Sequence, residues 1–290
     1  MVIRFSKKTF EYKKWRKMLN YFRRFFVGPI IALLISTNMF FWITPIFILG
    51  LFKFIFKFKF FDHLLDRIYQ LTVSINEFIL KDILGVHFII QGDLKVEYSN
   101  NYIVLSNHFS WADTFIVQSI LNKKIPPLKF LSKRQVNFIP FVGIISWAFN
   151  FPLLNRNKNK KYKDREKIIE NLKLMQGKNL SFFIFPEGTR FTQKKAIDQN
   201  TPFKYLLKPK IGGFTTLLNT SIEYKNIIDL TILYPNQNIN FWDFLSGNIS
   251  HIYIYGRKLT NTPLKGSHQI KEWVYQKWKE KDNLLKSFRD

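Results

Sequence analysis

His108 and Asp113 lie five residues apart, directly after the apolar run at 102–105. Such a run predicts a strand, and a turn at its end can aim both side chains at a bound substrate. Histidine is the side chain that gains and loses a proton near neutral pH, and a neighbouring carboxylate can orient its ring and stabilise the imidazolium. The pair therefore predicts general-base catalysis.

The same residues also fit a purely structural explanation. The sequence Ser110-Trp111-Ala112-Asp113 is typical of a capping box, in which Ser110 caps a helix and the acid three residues later reaches back to the cap backbone. Asp113 would then only begin a helix over 111–121, and His108 would be an ordinary loop residue. These residues alone favour neither explanation, so the rest of the chain has to decide.

A second motif, Phe185-Pro186-Glu187-Gly188-Thr189-Arg190, follows the apolar stretch at 181–184. Pro186 has a fixed backbone φ angle, and Gly188 allows a conformation that other residues avoid. The stretch is therefore predicted to be a strand that ends in a tight turn, which presents Glu187 and Arg190.

Composition limits the chemistry and favours an anionic partner. The 290 residues are 47% hydrophobic, enough for a large core, and the absence of cysteine excludes a thiolate nucleophile, a disulfide framework and Cys-ligated zinc. The formal net charge of +25 attracts nucleic acid or phospholipid headgroups. An AT-rich coding sequence would also enrich Lys, Asn, Ile and Phe, so the charge alone identifies no partner.

The N-terminal region is predicted to attach the chain to a membrane. Residues 25–52 carry no charged side chain, and at about 1.5 Å per residue they can cross a hydrocarbon core of about 30 Å. The basic residues that precede them keep the N-terminus cytoplasmic. Because Pro29, Pro45 and Gly50 are points where a helix can bend, a helical pair that returns to the cytoplasmic side, or lies in one leaflet, is favoured over a single span. The aromatic, lysine-containing stretch at 51–61 suits the headgroup region.

Past residue 62 the pattern is that of one α/β domain. We predict a basic N-terminus and anchor over 1–62 and a catalytic domain over 63–290, built on a central mixed sheet flanked by helices. The predicted strands are 86–91, 102–106, 128–131, 151–154, 180–185, 227–234 and 251–255. The predicted helices are 111–121, 141–148, 161–175 and about 267–288.

The two motifs together resemble those of glycerolipid acyltransferases of the 1-acylglycerol-3-phosphate (lysophosphatidic acid) type, whose signatures are Asn-His-x-x-x-x-Asp and Phe-Pro-Glu-Gly-Thr-Arg. Weaker family blocks match in the same order at 151–156 and 229–235, and the block at 206–213 is similar to one in a bacterial inner-membrane branch. The resemblance covers roughly residues 93–235. Phe191 departs from the pattern, since many members place Ser there, and this chain lacks that hydroxyl.

The resemblance implies transfer of a fatty acyl group from a thioester to the hydroxyl of a lysophospholipid, giving phosphatidic acid when the acceptor is 1-acylglycerol-3-phosphate. His108 would be the general base and Asp113 the residue that orients it, with the substrate hydroxyl as nucleophile and no acyl-enzyme. No cofactor and no metal are expected. The donor thioester would be carried on coenzyme A or on acyl carrier protein.

The resemblance also implies which residues bind substrate: Glu187, Gly188, Thr189, Arg190, Lys133 and Arg156. Arg190 would bind the acceptor phosphate in a planar fork, helped by the other two cations unless those are solvated surface charges. Glu187 would bind glycerol hydroxyls, hold Arg190, or only pair with a neighbouring cation. Backbone amides near Gly188 are candidate oxyanion donors. Lys208 and Lys210 are placed to meet donor or membrane phosphates, or form a solvated loop.

Three other functions fit parts of the sequence. The same chemistry on lysocardiolipin or lysophosphatidylglycerol uses the same motifs. A membrane-tethered nucleic-acid-binding protein would explain the charge, but neither a helix-turn-helix nor an RNA-binding signature is present, so no nucleic acid is expected as a partner. A catalytically inactive scaffold is disfavoured because both chemical motifs are intact. The expected location is the bacterial inner membrane with the catalytic domain on the cytoplasmic side, and the sequence does not indicate an oligomeric state.

Overall fold

The computed structural model describes residues 15, 17–133, 138, 140–154, 180–218, 226–236, 240–260 and 266–289. In chain order the strands are β1 (His87–Gln91), β2 (Tyr102–Ser106), β3 (Leu128–Phe130), β4 (Ser132–Lys133), β5 (Leu153–Leu154), β6 (Ser181–Ile184), β7 (Asn226–Leu233) and β8 (His251–Thr260). The helices are α1 (Gly28–Phe56), α2 (Lys59–Phe78), α3 (Ala112–Leu121), α4 (Pro140–Ala148), α5 (Gln193–Asp198), α6 (Gly212–Leu218), α7 (Phe241–Leu245) and α8 (Gly266–Arg289).

Six of these strands form one mixed sheet in the order β1-β8-β7-β2-β6-β3. Its neighbouring strands are parallel except β7 and β8, which run antiparallel. The helices flank this sheet, and a long apolar helix precedes it. The predicted fold class, a central mixed sheet flanked by helices after an N-terminal apolar helix or helical pair, is therefore confirmed.

Most predicted elements agree with the structure to within a residue or two. The exceptions have identifiable causes. The strand predicted at 251–255 continues to Thr260, because the antiparallel partner β7 extends the pairing along its whole length. The strand predicted at 151–154 shortens to β5, which pairs only with β4 in a separate two-stranded sheet. The helix predicted at 161–175 lies outside the described residues.

The sheet brings the two predicted motifs to one edge. All five residues of β2 are buried, as expected for a strand covered on both faces, and β2 lies between its parallel neighbours β6 and β7. Parallel strands end at the same edge, where α/β proteins bind their ligands. The loops that follow these three strands carry His108, Glu187 and Tyr234, so residues far apart in sequence meet there.

The N-terminal region folds as two long helices. Residues Lys17–Phe56 form one helical stretch that includes a π-helical segment at Arg23–Val27, and within the described part of the chain it is the one helix long and apolar enough to cross a membrane. The helical pair turns at Lys57, which has a positive φ of 54°. None of the predicted bend points makes this turn, and Pro45 lies inside α1. Most of the apolar surface of α1 is exposed, which suggests membrane association.

The two helices are packed against each other and against the part of the chain that carries the sheet. Asn38 on α1 donates from Nδ2 to Oδ1 of Asn76 on α2 at 2.9 Å, a buried contact between polar side chains. At Gly50 a Cβ atom would lie 2.6 Å from the ring of Trp147, so the missing side chain allows α4 to approach closely. The helical pair is therefore fixed relative to the sheet.

A buried ion pair fastens α8 to the sheet. The helix buries one stripe of side chains at helical spacing: Ile270, Val274, Trp278, Lys281 and Leu285. Within this stripe the Lys281 ammonium lies 2.6 Å from Asp229 of β7 and donates to the carbonyl of Leu230. Arg257 of β8 binds the other oxygen of Asp229 at 2.9 Å. Burial lowers the pKa of Lys281, and Asp229 opposes this.

We expect Lys281→Met to lower the free energy of unfolding by about 2–4 kcal/mol, because it leaves Asp229 buried with only Arg257 to balance its charge. Denaturant titration of the purified protein in detergent measures this loss. Lys286→Met, on the exposed side of the same helix, removes the same charge and should change stability by less than about 0.5 kcal/mol. Equal losses in the two variants would contradict a role for the buried pair.

Candidate active site

The loop after β2 is held by an asparagine that the sequence analysis assigned no role. Asn107 is wholly buried, donates from Nδ2 to the carbonyl of Ile232 at 2.9 Å, and accepts from the Ile232 amide at 2.8 Å. Its side chain thus adds a pair of hydrogen bonds to β7 just beyond the point where β2 ends. This fixes the start of the loop and the position of the next residue, His108.

His108 and Asp113 form a hydrogen-bonded pair. Nδ1 of the imidazole lies 2.9 Å from Oδ2 of the carboxylate, and the His108 side chain is 11% exposed whereas that of Asp113 is wholly buried. The imidazole stacks on the ring of Phe185, with centroids 3.8 Å apart and planes 12° from parallel. Because Nδ1 faces Asp113, Nε2 is the ring nitrogen left for a substrate proton.

The Asp113 carboxylate accepts three further hydrogen bonds. Oδ2 accepts from the amides of Phe109 at 2.6 Å and Ser110 at 2.9 Å, and Oδ1 accepts from the Tyr234 hydroxyl at 2.5 Å. The contact with the Ser110 amide is the backbone contact of a capping box, and the Ser110 hydroxyl accepts from the amide of Ala112 at 3.3 Å. The capping contact of Ser110 and the pairing of His108 with Asp113 are therefore compatible, since the first turn of α3 fixes the carboxylate that bonds the imidazole.

Tyr234, which belongs to the weaker sequence block at 229–235, completes this arrangement. It follows β7 directly and is wholly buried. Burial, followed by the negative charge of Asp113, raises its pKa well above the usual value, so it stays a neutral donor. A tyrosine immediately after a buried strand was the available signal, but only the strand order places it against Asp113.

Glu187 lies beneath the site and not at its surface. It is wholly buried; Oε1 accepts from the amide of His108 and Oε2 from the amide of Leu207, each at 2.9 Å. Burial raises its pKa to about 8, and the two amides partly offset this. Each oxygen accepts from a backbone amide, so Glu187 joins the loop after β2 to the segment before α6.

The turn after β6 carries the remaining predicted residues. Gly188 has a φ of +66°, and its amide donates to the carbonyl of Phe185 at 2.9 Å, so this particular amide is already used inside the turn. The Thr189 hydroxyl accepts from Lys195 at 2.8 Å. The Arg190 guanidinium is exposed and lies 5.2 Å from the ring centre of Trp111, beside the first turn of α3.

Two lysines, Lys195 and Lys210, also lie at this turn. The amide of Lys210 donates to the carbonyl of Pro186 at 2.7 Å, and its ammonium lies 3.7 Å from the position that a Cβ on Gly188 would occupy. Lys195 also donates to the carbonyl of Arg190 at 3.0 Å. The turn therefore presents positive charge beside His108, whose carbonyl accepts from the Phe191 amide at 2.8 Å.

Two predicted phosphate ligands are not placed. Lys133 belongs to β4, of which only the backbone is described, and Arg156 lies outside the described residues. Lys208 donates its amide to Gln199 at 3.3 Å and is half-buried. Within the described part of the chain, no cluster of three or more His, Asp or Glu side chains is arranged to hold a metal ion.

Comparison with known proteins gives concordant matches. A family model described as Acyltransferase matches residues 87–234. Lysocardiolipin acyltransferase 1 of Mus musculus is 23% identical over 287 residues, covering 91% of this chain and 69% of that protein. 1-acyl-sn-glycerol-3-phosphate acyltransferase epsilon of Mus musculus is 21% identical over 250 residues, covering 78% of this chain and 68% of that protein. The crystal structure of the 1-acyl-sn-glycerophosphate (LPA) acyltransferase PlsC from Thermotoga maritima has a similar fold, with a TM-score of 0.50 at 16% identity over 89% of this chain and 98% of that one.

The burial of Glu187 predicts a stability that depends on pH. Its pKa is about 8 in the folded protein against an ordinary 4.5, so the folded state binds the extra proton between these values and loses stability as pH rises through this window. Glu187→Gln cannot ionise and should lack this decrease, although its amide nitrogen must face one backbone amide at a cost of about 1–3 kcal/mol. Thermal unfolding of both proteins from about pH 5 to about pH 9 measures the difference.

Glu97→Gln is the matched control, because Glu97 is an exposed acid remote from this loop. It should follow the wild-type curve at every pH. A Glu187→Gln curve parallel to that of the wild type would show that the Glu187 carboxyl is accessible to solvent in the folded protein.

Proposed function

The chain belongs to the acyltransferase family, and on that premise we propose that it transfers a fatty acyl group from a thioester to the free hydroxyl of 1-acylglycerol-3-phosphate, giving phosphatidic acid. The observation that carries this proposal is the pairing of His108, stacked at the sheet edge, with the buried carboxylate of Asp113. In the reaction the thioester C–S bond breaks and an ester C–O bond forms. The hydroxyl proton is transferred to the imidazole and then to the leaving thiolate.

The geometry of the pair supports His108 as the general base. Asp113 engages Nδ1, so the neutral imidazole presents the lone pair of Nε2 to the acceptor hydroxyl. As the proton arrives, the ring becomes positive and the carboxylate stabilises it. The substrate hydroxyl is the nucleophile, so no acyl-enzyme forms, and the coenzyme A or acyl carrier protein thioester serves as co-substrate.

The exposed cations of the turn after β6 support binding of a phosphate. We assign the acceptor phosphate to Arg190, whose planar guanidinium stacks beside the first turn of α3, and to the neighbouring ammonium of Lys210. Their position next to His108 suits an acceptor whose hydroxyl and phosphate are a few bonds apart. Lys133 and Arg156 stay predicted contributors on the strength of the sequence motif alone.

A lipid acceptor also requires access from a membrane. The apolar helix α1 and the lysine-containing aromatic turn at 51–61 would attach the enzyme to the leaflet from which a lysophospholipid enters. We propose that the catalytic domain lies on the cytoplasmic side, as the basic N-terminal residues favour, and that the membrane is the bacterial inner membrane.

One observation also supports lysocardiolipin as the acceptor. The match to lysocardiolipin acyltransferase 1 covers 91% of this chain, whereas that to the epsilon enzyme covers 78%. Both substrates offer a free hydroxyl near a phosphate, so the same base and the same cations serve either of them. Acyl transfer to lysocardiolipin or lysophosphatidylglycerol is therefore the alternative to lysophosphatidic acid.

His108→Ala should lower the rate of acyl transfer by about 10²- to 10⁴-fold, because a positioned general base contributes about that much. The assay uses purified full-length protein in detergent, a labelled acyl-thioester donor and a panel of lysophospholipids. We expect the wild type to acylate lysophosphatidic acid most efficiently. His251→Ala, at an exposed histidine remote from the site, should keep full activity.

If the enzyme acylates lysocardiolipin more efficiently than lysophosphatidic acid, lysocardiolipin replaces lysophosphatidic acid as the proposed acceptor. No transfer to any lysophospholipid, or full activity of His108→Ala, would contradict the proposed function.

Arg190→Ala should raise the KM for the phosphate-bearing acceptor by about 10- to 100-fold, since hydrogen bonds to a charged group contribute about 1.5–3 kcal/mol. The kcat should change little. Monoacylglycerol, which has no phosphate, gives the sharpest comparison because its KM should not respond to the substitution. Lys194→Ala, an exposed cation on α5, is the control for loss of general positive charge. Equal effects on both acceptors would contradict the assignment.

A further inference from the structure

We propose that Tyr234 is a positioning residue of this reaction: its hydroxyl, bonded to Asp113 at 2.5 Å, fixes the carboxylate and limits how strongly that carboxylate favours a protonated His108. The proposal rests on the proposed function, in which His108 must be neutral to accept a proton. The Tyr234 hydroxyl bonds to Asp113 and not to the imidazole, so its effect passes through Asp113.

The fold delivers Tyr234 to Asp113 from 121 residues away. β7 pairs in parallel with β2. Directly after β2 ends, the side chain of Asn107 bonds to the backbone of Ile232 near the end of β7. Tyr234 follows two residues later, and its ring packs edge-on against Phe109, with centroids 6.3 Å apart. The phenol is therefore held in place by both the strand and the loop that carries His108.

The four donors to Asp113 are not equivalent. His108 and the amides of Phe109 and Ser110 all bond to Oδ2, whereas Tyr234 bonds to Oδ1. Because the amides belong to the turn itself, they hold Oδ2 whatever the state of the base. The phenol fixes the rotation of the carboxylate plane and withdraws charge from the oxygen opposite His108.

Because Tyr234 withdraws negative charge from Asp113, it alters how Asp113 acts on the base, His108. A carboxylate that shares its charge with a strong donor stabilises a neighbouring imidazolium less. The other ionisable groups near the pair are Glu187, on which the charges of Asp113 and Lys281 act, and Arg289, which lies over the ring of Phe109. None of these is altered by a change at Tyr234, so a shift after substitution reports on the phenol.

Tyr234→Phe should therefore move the acid limb of kcat/KM against pH to higher pH by roughly one unit. It should also lower kcat by about tenfold, through the less fixed carboxylate, with the KM of either substrate changed less than about twofold. Tyr102→Phe is the matched control: Tyr102 is equally buried, and its hydroxyl bonds the backbone of Glu97 at the opposite end of β2. That variant should keep the wild-type pH profile.

A second variant acts in the opposite direction without removing the hydroxyl. A fluorinated tyrosine at position 234 is a stronger donor of nearly the same size, so it should move the acid limb to lower pH. An acid limb that does not respond to either substitution, or that shifts equally in Tyr102→Phe, would overturn the proposal.

The titration of the His108 imidazole, followed by NMR in the full-length protein in detergent, separates this proposal from the proposed function because it needs no turnover. Its midpoint should rise in Tyr234→Phe and fall with the fluorinated tyrosine. A shift without any acyl transfer by the wild type would reject the proposed function while supporting the coupling. Acyl transfer with unshifted midpoints would reject the coupling alone.

Discussion

The candidate site depends on one buried negative charge that must be matched by donors. Asp113 is wholly excluded from solvent, and a carboxylate in that position is tolerated only when its oxygens are hydrogen bonded. Asp113 itself lies in the first turn of α3, and its donors come from the loop after β2 and from the residue after β7. The parallel arrangement of β2 and β7 brings the Tyr234 hydroxyl to Asp113, and the imidazole of His108 bonds to the same carboxylate.

A second buried carboxylate performs a different task. Glu187 uses both oxygens to join the backbone of His108 to that of Leu207. One acid thus holds the imidazole ring, while the other holds the backbone that carries it. The exposed cations Arg190 and Lys210 lie outside this buried layer. The buried carboxyl groups are held rigidly beneath the site, whereas the exposed cations at its surface can adapt. This arrangement suits a reaction that needs an oriented base and a weakly bound anionic substrate.

Sequence patterns predicted what depends on local spacing. The His108 and Asp113 pair, the capping contact of Ser110 and most strands follow from residues within a few positions of one another. The roles of Asn107 and Tyr234 could not be predicted because their partners are more than 100 residues away and depend on strand order. The burial of Glu187 could not be predicted, because a motif identifies a residue type without giving the direction of its side chain. The turn at Lys57 was missed because its left-handed backbone conformation has no proline or glycine to mark it.

The most direct measurement of the central claim is a double-mutant cycle between His108→Ala and Asp113→Asn. Asparagine can still accept from the amides of Phe109 and Ser110 through its oxygen, so the loop is preserved while the charge is lost. If Asp113 acts through His108, the double variant should transfer acyl groups no more slowly than His108→Ala alone. Losses that multiply, with the double variant slower by the product of the two single effects, would contradict the claim that the two residues work as one unit.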